Sequence, residues 1–430
     1  MSVMIHPGGP LRALVCVPGS KSFTNRALVC AALADGQSTL RSASDSDDTS
    51  LLANGLNQLG VLVRSDGGDL VVTGTGGRLT APRYPIPVGN AGTTFRFLLS
   101  VACLARGRTV FSVSERMAER PIDDLLEALR ALGGNIQAMP WVPQFEVHGS
   151  GLTGGTARVR GERSSQFLSS LLMIAPYAAG ETTVELEGPL VSGGYVEMTL
   201  EVMRQFGVRP GGGGGHTYRF GPQRYTAGSY KIEPDASSAT YPLAAAAIAG
   251  GEVLVEHLGQ GLQADAGFRD LLLQMGCSAV SRAGASGIRC EGPLQGVEVD
   301  MNRMPDAVPA LVAVALFAAT PTRVRNIAHL RYKESDRMGV VQRELAKAGA
   351  DIRLGEDFLE VHPSPLHGAE LDPHEDHRLA MSFALLGLRV PGIVIGNPSC
   401  VSKSFPRYWE MLSSLTSVSG RAHPPAARHP

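Results

Sequence analysis

Two cations and three hydroxyl groups are concentrated in the segment from Pro18 to Arg26. It reads Pro-Gly-Ser-Lys-Ser-Phe-Thr-Asn-Arg and opens into the apolar run Ala27–Leu33, which predicts a turn and then a capped helix. A helix N-terminus binds anions, and Lys21 and Arg26 add full charges to it. The spacing of a nucleotide-binding P-loop is missing. The segment therefore predicts an anion site without nucleotide specificity, and the alternative is a capped helix with two solvated cations.

Two carboxylates beside cations or apolar segments are candidates for proton transfer. Asp306 precedes the apolar segment Ala307–Ala319, and Glu334 lies in the cluster Arg-Tyr-Lys-Glu-Ser-Asp-Arg at 331–337. Burial raises the pKa of a carboxyl group and nearby cations lower it, so both positions suit acid–base chemistry. Each carboxylate alone could instead be a helix cap or an ion-pair partner. Further cations next to apolar segments are Arg120, Arg378 and Lys403.

Four predicted helices are apolar nearly all round, which is typical of helices buried on every side. Their bounds are Thr94–Leu104, Ser165–Ala178, Ser237–Ala249 and Ala307–Ala319. Each begins with Ser, Thr, Asn or Asp, which either caps the helix or directs the positive end of its dipole at a ligand. The repetition favours several helix N-termini that converge on one cleft.

A second pattern, an amphipathic helix that stops at Leu-Gly or a similar pair and continues as a strand, recurs roughly every 70 residues. We expect the glycine in each copy to end the helix in the left-handed conformation. These glycines are Gly60, Gly133, Gly207, Gly276 and Gly349. A solenoid is the alternative, but the long period favours larger αβ units that fold into domains.

Composition limits the class of protein. The chain has 430 residues, of which 43% are hydrophobic and 18% charged, and this length and composition predict two or more globular domains. Its net charge of -1 predicts no general attraction to nucleic acid or membranes. Six cysteines without a Cys-x-x-Cys pair predict reduced thiols in the cytoplasm. The sequence shows no signal peptide, dinucleotide fingerprint or Gly-x-Ser-x-Gly motif. We expect a loop at 211–215 and a disordered tail at 419–430.

Together these segments resemble the family of 5-enolpyruvylshikimate-3-phosphate (EPSP) synthases over residues 18–403. The first matching motifs are Pro-Gly-Ser-Lys-Ser at 18–22, Gly-Asn-Ala-Gly-Thr-Thr at 89–94, Glu-Arg-Pro at 119–121 and Ser-Ser-Gln at 164–166. Those that follow are Asp-Ala-Ser-Ser-Ala at 235–239, Pro-Asp-Ala at 305–307, Lys-Glu-Ser-Asp-Arg at 333–337, Asp-His-Arg-Leu-Ala-Met at 376–381 and Lys-Ser-Phe-Pro at 403–406.

The resemblance implies the enolpyruvyl transferase fold, an α/β architecture. In it, two domains of three βαβαββ repeats each direct buried parallel helices into a cleft between them. We place one domain at 21–234 and a discontinuous second domain at 1–20 and 235–418.

The implied reaction is that of a 3-phosphoshikimate 1-carboxyvinyltransferase of the shikimate pathway, which serves aromatic amino-acid biosynthesis. The carboxyvinyl group of phosphoenolpyruvate moves to the 5-hydroxyl of shikimate 3-phosphate through a tetrahedral adduct, and phosphate is released. The resemblance implies no metal, no cofactor and no covalent enzyme intermediate. It also implies a monomer and a target of glyphosate, a herbicide that occupies the donor site in this family.

By resemblance, Asp306 takes the proton of the 5-hydroxyl, Glu334 protonates the donor methylene and Lys21 helps phosphate to leave. Shikimate 3-phosphate would be held by Lys21, Ser22, Arg26, Ser164, Ser165, Gln166, Ser192, Tyr195, Asp306 and Lys333. Phosphoenolpyruvate would be held by Lys21, Asn90, Gly92, Arg120, Gln166, Arg337, His377, Arg378 and Lys403.

Three positions depart from the commoner family pattern. His329 replaces an Asn that contacts the acceptor phosphate, Gly193-Gly194 replaces Lys-Pro, and Phe97 replaces a Pro near the donor site. For His329 we expect a proton-dependent hydrogen bond to the acceptor phosphate, and the alternative is a ring turned to solvent.

Two other functions are compatible with parts of this pattern. A UDP-N-acetylglucosamine carboxyvinyltransferase shares the fold and the donor, but it normally carries a catalytic Cys in a mobile loop, and Cys103, Cys277 and Cys290 lack such a context. A non-catalytic anion-binding protein of the same fold is the other alternative. We would expect such a protein to have lost Asp306 or Glu334.

Overall fold

A computed structural model describes residues 1–139, 141–212, 215–259 and 261–417, so the predicted tail at 419–430 lies outside the described residues. The strands are β1 Ser2–Met4, β2 Leu11–Val15, β3 Asp35–Arg41, β4 Leu62–Asp66, β5 Asp69–Thr75, β6 Ile86–Gly89, β7 Gly107–Val113, β8 Ile136–Ala138, β9 Gln144–Gly149, β10 Gly155–Arg160, β11 Thr182–Glu187, β12 Thr217–Phe220, β13 Ser229–Lys231, β14 Gly251–Glu256, β15 Ser278–Arg282, β16 Ala285–Cys290, β17 Glu298–Asp300, β18 Thr322–Arg325, β19 Asp351–Leu354, β20 Leu359–His362, β21 Glu370–Leu371 and β22 Val394–Gly396. The helices are α1 Lys21–Leu33, α2 Asp47–Gln58, α3 Gly92–Ala102, α4 Glu115–Glu119, α5 Asp123–Ala131, α6 Ser165–Ile174, α7 Gly194–Gln205, α8 Ala236–Ala249, α9 Phe268–Gln274, α10 Val308–Ala315, α11 Arg337–Ala346, α12 His377–Leu386 and α13 Tyr408–Ser417. Short 3₁₀ turns lie at Ala175–Tyr177, Ala264–Gly267, Pro305–Ala307, Ala328–Tyr332 and Pro398–Lys403.

The described strands form six small sheets with one recurring pattern. Their strand orders are β13-β3-β5-β4, β6-β7-β9-β8, β10-β11-β12, β15-β16-β14-β2, β17-β18-β20-β19 and β1-β22-β21. In each sheet one strand has a parallel neighbour on one side and an antiparallel neighbour on the other, as β7 has in β6 and β9. A parallel neighbour requires a crossover connection. Five of the six described sheets contain a strand that follows a predicted glycine-ended helix, and the exception is β1-β22-β21.

Six inner helices are buried on nearly every side: α1, α3, α6, α8, α10 and α12. Every residue of α12 is buried, and so is every residue of α1 except Ser22. This confirms the prediction from the all-round apolar pattern, although several bounds differ: α3, α6 and α10 end two to four residues earlier than predicted, and α8 begins one residue earlier. Helix α3 begins at Gly92, two residues earlier than predicted. Helix α10 starts only at Val308, because Pro309 fits the first turn of a helix, where a backbone N–H is not needed.

The outer helices α2, α5, α7, α9 and α11 end where the sequence predicts. The glycine after each has a positive φ, from 85° at Gly207 to 107° at Gly276. Glycine adopts this conformation without steric cost, and this explains why each helix stops there and a strand follows.

The buried apolar residues form two clusters. The first core contains residues between Phe23 and Ile232, and the second core contains Ile5–Val17 together with residues between Ala239 and Leu415. The two passages of the chain between the cores lie side by side. The Ser20 N–H donates to the Glu233 carbonyl and the Asp235 N–H to the Pro18 carbonyl, both at 2.8 Å. The domain limits 21–234 and 1–20 with 235–418 stay a prediction.

Within the described ranges, no helix is both long enough and apolar enough to cross a membrane.

Candidate active site

A cleft of about 750 Å³ lies between the two cores. The N-terminal ends of α1, α3, α6 and α12 reach it. Of the four helices for which the sequence predicts convergence, α3 and α6 reach the cleft and α10 does so through Asp306 just before it, whereas no residue of α8 is in the described lining. The predicted site residues that line it are Lys21, Ser22, Arg26, Arg120, Ser164, Ser165, Gln166, Ser192, Tyr195, Asp306, Lys333, Glu334 and Arg378. Arg96, Arg163, Thr93, His329 and Tyr332 complete the described lining together with Pro121 and Val191. Cations outnumber carboxylates here, so the cleft is cationic in a protein of nearly zero net charge.

A buried carboxylate joins the two predicted lysines. Asp48 Oδ2 lies 3.0 Å from Lys21 Nζ, and Asp48 Oδ1 lies 2.7 Å from Lys403 Nζ. Lys403 Nζ also donates to the Asn90 carbonyl at 3.0 Å. Burial opposes ionisation of Asp48, but the two ammonium groups outweigh it and lower its pKa. A lysine from each core is therefore fixed at one point beside the cleft.

Arg120 is buried without enough hydrogen-bond partners. Its side-chain Nε and Nη1 have no partner among the described residues. Burial lowers the pKa of Arg120, and the charge of Glu334 acts in the opposite direction. A buried cation with unsatisfied donors is costly, so this guanidinium is ready to receive an anion.

Helix α3 begins directly beside Arg120. The N-terminus of α3 has no side-chain cap, and a Cβ added at Gly92 would lie 2.8 Å from both Nη atoms of Arg120. The first N–H groups of the helix and the guanidinium can therefore act on one anion.

Arg337 connects three carboxylates at the base of the cleft. Its Nε lies 2.8 Å from Asp376 Oδ2, its Nη1 lies 2.9 Å from Asp306 Oδ1 and its Nη2 lies 2.8 Å from Glu334 Oε2. The side chain of Arg337 is only 1% exposed. The two candidate proton-transfer groups therefore share one buried cation.

Asp306 also touches both cores. Its Oδ2 accepts a hydrogen bond from the Tyr195 hydroxyl at 3.1 Å and lies 2.8 Å from Arg378 Nη2, while its Oδ1 lies 3.7 Å from Lys333 Nζ. Burial opposes ionisation, but the charges of Arg378, Lys333 and Arg337 hold the pKa of Asp306 well below its usual range.

The pKa of Glu334 is also held well below its usual range, because the charges of Arg337, Arg120 and Lys403 outweigh its burial. Both carboxylates are therefore ionised at neutral pH.

The guanidinium of Arg26 lines the cleft but is bonded to its own core. It donates from Nε to Thr199 Oγ1 at 2.7 Å, from Nη1 to the Ser22 carbonyl at 2.9 Å and from Nη2 to the Tyr195 carbonyl at 3.1 Å. Burial lowers the pKa of Arg26 to about 10, which leaves it charged at neutral pH. Arg26 thus fixes two other predicted acceptor-site residues, Ser22 and Tyr195.

Five predicted donor-site residues are not part of the described lining, namely Gly92 beside Arg120 and Asn90, Arg337, His377 and Lys403. Asn90 and Lys403 meet through a backbone carbonyl, and Arg337 binds the three carboxylates. His377 is fully buried, and its ring nitrogens have no hydrogen-bond partner among the described residues. Burial, with Lys21 close by, lowers the pKa of His377 well below its ordinary value, so this ring is neutral.

The interpretation of His329 as a ring turned to solvent is wrong, whereas its hydrogen bond to the acceptor phosphate stays a prediction. The side chain is buried rather than turned to solvent, and its Nε2 lies 3.4 Å from Ser192 Oγ. Burial, together with the charge of Lys333, lowers its pKa to about 3, so the ring does not titrate in the usual histidine range. His329 meets the cleft as a neutral group.

The buried state of His329 predicts a contribution to acid sensitivity. Between about pH 6.5 and 3 the unfolded chain binds a proton at this residue and the folded protein does not, so stability falls as the pH falls below 6.5. Between pH 7.5 and pH 5 we expect the wild-type free energy of unfolding to fall by about 2 kcal/mol more than that of His329→Asn. Urea unfolding of both proteins at both pH values measures this difference, and equal losses would contradict the assignment.

Phe97 lies away from the cleft lining. It is fully buried in the first core, and the Arg26 guanidinium lies over its ring, 5.5 Å from the centroid. Phe97 therefore acts on the site through its contact with the Arg26 guanidinium.

Sequence reasoning missed several residues of the site. Arg96 donates to Gln166 Oε1 at 2.6 Å, and it is the one charged residue in α3, which is the signal that could have found it. Asp48 could not be identified in this way, because a carboxylate in the first turn of a helix is common and is explained by its favourable interaction with the helix dipole. Arg163 and Tyr332 line the cleft next to motifs that were recognised.

The family model of EPSP synthase (3-phosphoshikimate 1-carboxyvinyltransferase) matches residues 5–412 of the chain. The chain belongs to the EPSP synthase family. It is 43% identical over 417 residues to a 3-phosphoshikimate 1-carboxyvinyltransferase of Methanoculleus marisnigri, with 96% of this chain and 99% of the relative covered. It is 41% identical to one of a Nostoc species over 410 residues, with 93% and 96% covered.

Solved structures agree with this assignment. An EPSP synthase from Acinetobacter baumannii superposes with a TM-score of 0.79 at 27% identity and covers 96% of this chain and 98% of its own. An enolpyruvyl transferase from Streptomyces tendae shares the fold. It superposes with a TM-score of 0.76 at 21% identity and covers 96% of this chain and 97% of its own. The predicted family, fold class and enzyme class are confirmed. The activity of the chain is that of an EPSP synthase in the shikimate pathway.

Proposed function

We propose that the cleft binds shikimate 3-phosphate and phosphoenolpyruvate side by side, and that Asp306 and Glu334 move the protons of the reaction. The observation that carries this proposal is the contact of both carboxylates with one guanidinium, that of Arg337, at 2.9 and 2.8 Å. This contact supports the proposal, because it keeps the two carboxylates close together among cations that suit two polyanionic substrates.

The acceptor side of the cleft is rich in hydroxyl groups. Ser22, Ser164, Ser165, Ser192 and Tyr195 supply them, and Arg26, Lys333 and Gln166 add charge and an amide. Shikimate 3-phosphate has a phosphate, a carboxylate and free hydroxyl groups, and this mixture of donors fits all three. Asp306 lies where this side meets the second core, which suits an acceptor for the 5-hydroxyl proton.

The donor side offers cations and free N–H groups. Arg120 has unsatisfied donors, α3 begins uncapped at Gly92, and Asp48 holds Lys21 and Lys403 in place. A phosphate and a carboxylate can each be bound here by charge-assisted hydrogen bonds. Arg378 borders this side, while Asn90 and His377 support it from behind.

The proposed reaction has two steps. The 5-hydroxyl loses its proton to Asp306, its oxygen bonds to C2 of phosphoenolpyruvate, and Glu334 gives a proton to C3, which becomes a methyl group. The tetrahedral adduct then loses phosphate beside Lys21, the departing phosphate takes the proton held by Asp306, and a methyl proton returns to Glu334 to restore the double bond. Acid–base help of this kind typically accelerates a reaction by about 100- to 10,000-fold.

Glu334 needs a proton for this role, although it is ionised in the ligand-free cleft. Its low pKa comes from Arg337, Arg120 and Lys403. Because the anionic groups of the donor offset the charges of Arg120 and Lys403, donor binding raises the pKa of Glu334 towards neutrality. The proposal therefore couples donor binding to proton uptake.

A phosphate-release assay with two acceptors tests the proposed substrates. With phosphoenolpyruvate present, we expect release when shikimate 3-phosphate is added and none when UDP-N-acetylglucosamine is added. Phosphate release with UDP-N-acetylglucosamine but not with shikimate 3-phosphate would contradict the proposal.

Gly92→Ala tests the donor side. The added methyl group presses on the Arg120 guanidinium, which lies 2.8 Å from the new Cβ, and such a misfit costs about 1–3 kcal/mol, or about 5- to 150-fold in binding. We expect the inhibition constant of glyphosate, which is longer than the donor, to rise more than the donor KM. Gly9→Ala is the control, since a Cβ there meets nothing within 4 Å. Equal losses for both ligands, or none, would show that Gly92 does not border the donor.

We also propose that the enzyme acts as a monomer in the cytoplasm without metal or cofactor. All six cysteines are unpaired, which supports a reducing compartment.

A further inference from the structure

Arg116 connects the first core to the backbone beneath the predicted proton donor. It lies on α4, and its Nε donates to the Glu334 carbonyl at 3.3 Å. Its Nη2 donates to the carbonyls of Arg331 at 3.1 Å and Lys333 at 3.2 Å. Its Nη1 pairs with Glu119 Oε2 at 3.1 Å. One side chain thus binds three carbonyls of the opposite core.

These carbonyls need side-chain donors because of their place in the chain. Arg331 lies in the last turn of a 3₁₀ helix that ends at Tyr332, where a carbonyl has no partner within the helix. Lys333 and Glu334 lie between this turn and α11, which begins only at Arg337, so their carbonyls are outside regular backbone hydrogen bonding. A guanidinium presents five N–H groups in one plane and can satisfy several carbonyls together, which an ammonium group cannot do in the same geometry. Asn90 Nδ2, also from the first core, lies 3.5 Å from the Glu334 carbonyl.

The segment 331–334 carries two predicted site residues. The side chain of Glu334 is held by Arg337 in the second core, while its carbonyl is held by Arg116 in the first. Lys333 has the same double attachment, since its carbonyl binds Arg116 and its ammonium group faces Asp306. The position of both side chains therefore depends on contact between the cores.

We propose that Arg116 is a positioning residue for Glu334 and Lys333. It fixes the backbone of 331–334 against the first core, so that the two side chains reach the reacting position when the cores are joined. This inference rests on the proposed function of Glu334, but Arg116 itself touches no substrate in the proposed arrangement.

A second ion pair between the cores provides the matched control. Arg303 in the second core donates to both carboxylate oxygens of Glu197 in the first, at 3.0 and 2.8 Å, without contact to 331–334. The side chains are 60% and 51% exposed, and an exposed pair of this kind contributes little to stability. Arg303→Ala therefore removes a bond between the cores and leaves the segment in place.

The test compares Arg116→Ala, Arg116→Lys, Arg303→Ala and Glu334→Gln in steady-state kinetics and in calorimetric binding of shikimate 3-phosphate. A displacement of about 1 Å in a reacting group can cost about 100-fold in rate, so we expect a loss of about that size in kcat for Arg116→Ala. We expect a smaller but clear loss for Arg116→Lys and a change below about twofold for Arg303→Ala. Affinity for shikimate 3-phosphate should also fall, because Lys333 is displaced, but by less than kcat, which is lowered by the displacement of Glu334 as well. Millimolar guanidinium should restore part of the activity of Arg116→Ala only.

Three results would overturn the inference: a normal kcat in Arg116→Ala, an equal loss in Arg303→Ala, or a loss of affinity as large as the loss of kcat. If Arg116→Ala does not fold, Arg116→Lys decides, and a normal kcat in that variant overturns the inference. Glu334→Gln separates the two claims. Normal turnover in Glu334→Gln rejects the proposed proton donor, whereas an inactive Glu334→Gln beside a fully active Arg116→Ala rejects only the positioning role.

Discussion

Turnover falls by about 100- to 10,000-fold when Glu334 is replaced by Gln or Asp306 by Asn, because each change removes a group that transfers a proton in the proposed reaction. The KM values for the two substrates should change much less, since the surrounding cations that bind them remain. Steady-state phosphate release with both substrates measures the effect, and urea unfolding checks that the variants are folded.

Glu252→Gln is the control for these two variants. Glu252 is a carboxylate of the second core that pairs with Arg282 and Arg289 and does not line the cleft. We expect its kcat to stay within about twofold of the wild type, since neither Glu252 nor its partners Arg282 and Arg289 line the cleft. Near-normal turnover in both Asp306→Asn and Glu334→Gln would contradict the mechanism.

Arg337→Gln should lower the free energy of unfolding by about 3–5 kcal/mol, because it leaves buried carboxylates without their shared cation. The affected groups are Asp306, Glu334 and Asp376, of which Asp376 is fully buried. Chemical denaturation at pH 7.5 measures the loss, and turnover should fall with it, since both proton-transfer groups lose their orientation.

Arg353→Gln is the matched control for Arg337→Gln. Arg353 is 62% exposed and pairs with Asp351, which is 44% exposed, and removing such a surface pair should cost at most about 1 kcal/mol. A loss of stability in Arg337→Gln no larger than that of Arg353→Gln would show that the three carboxylates do not depend on this cation.

Features of the fold that are local in sequence could be predicted. The outer helices end at glycines such as Gly207 and Gly276, and each of these signals lies within a few residues of the structure that it specifies. The inner helices could be predicted because burial on every side leaves an apolar residue at nearly every position. Their exact bounds could not be predicted, as at α10, where Pro309 lies in the first turn and the helix begins at Val308.

Contacts between distant residues could not be predicted in this way. Asp48 binds both Lys21 and Lys403, and Lys403 lies 355 residues after Asp48 in the chain. Nothing near Asp48 in the sequence indicates this role. Arg26 binds Thr199, 173 residues away, so its engagement in the first core depends on how α1 and α7 pack. His329 shows the same limit, because only the folded structure reveals the burial that keeps its ring neutral.

The central claim is that the donor methylene gains a proton and later loses one during transfer. The reaction run in deuterium oxide, followed by mass spectrometry of the product, tests it most directly. Protonation at C3 forms a CH₂D group, and loss of one of its protons restores a double bond that retains deuterium in part of the product. We predict deuterium in the carboxyvinyl group of the wild-type product, with one phosphate released for each product formed. A wild-type product without deuterium would contradict the proposed adduct and the role of Glu334.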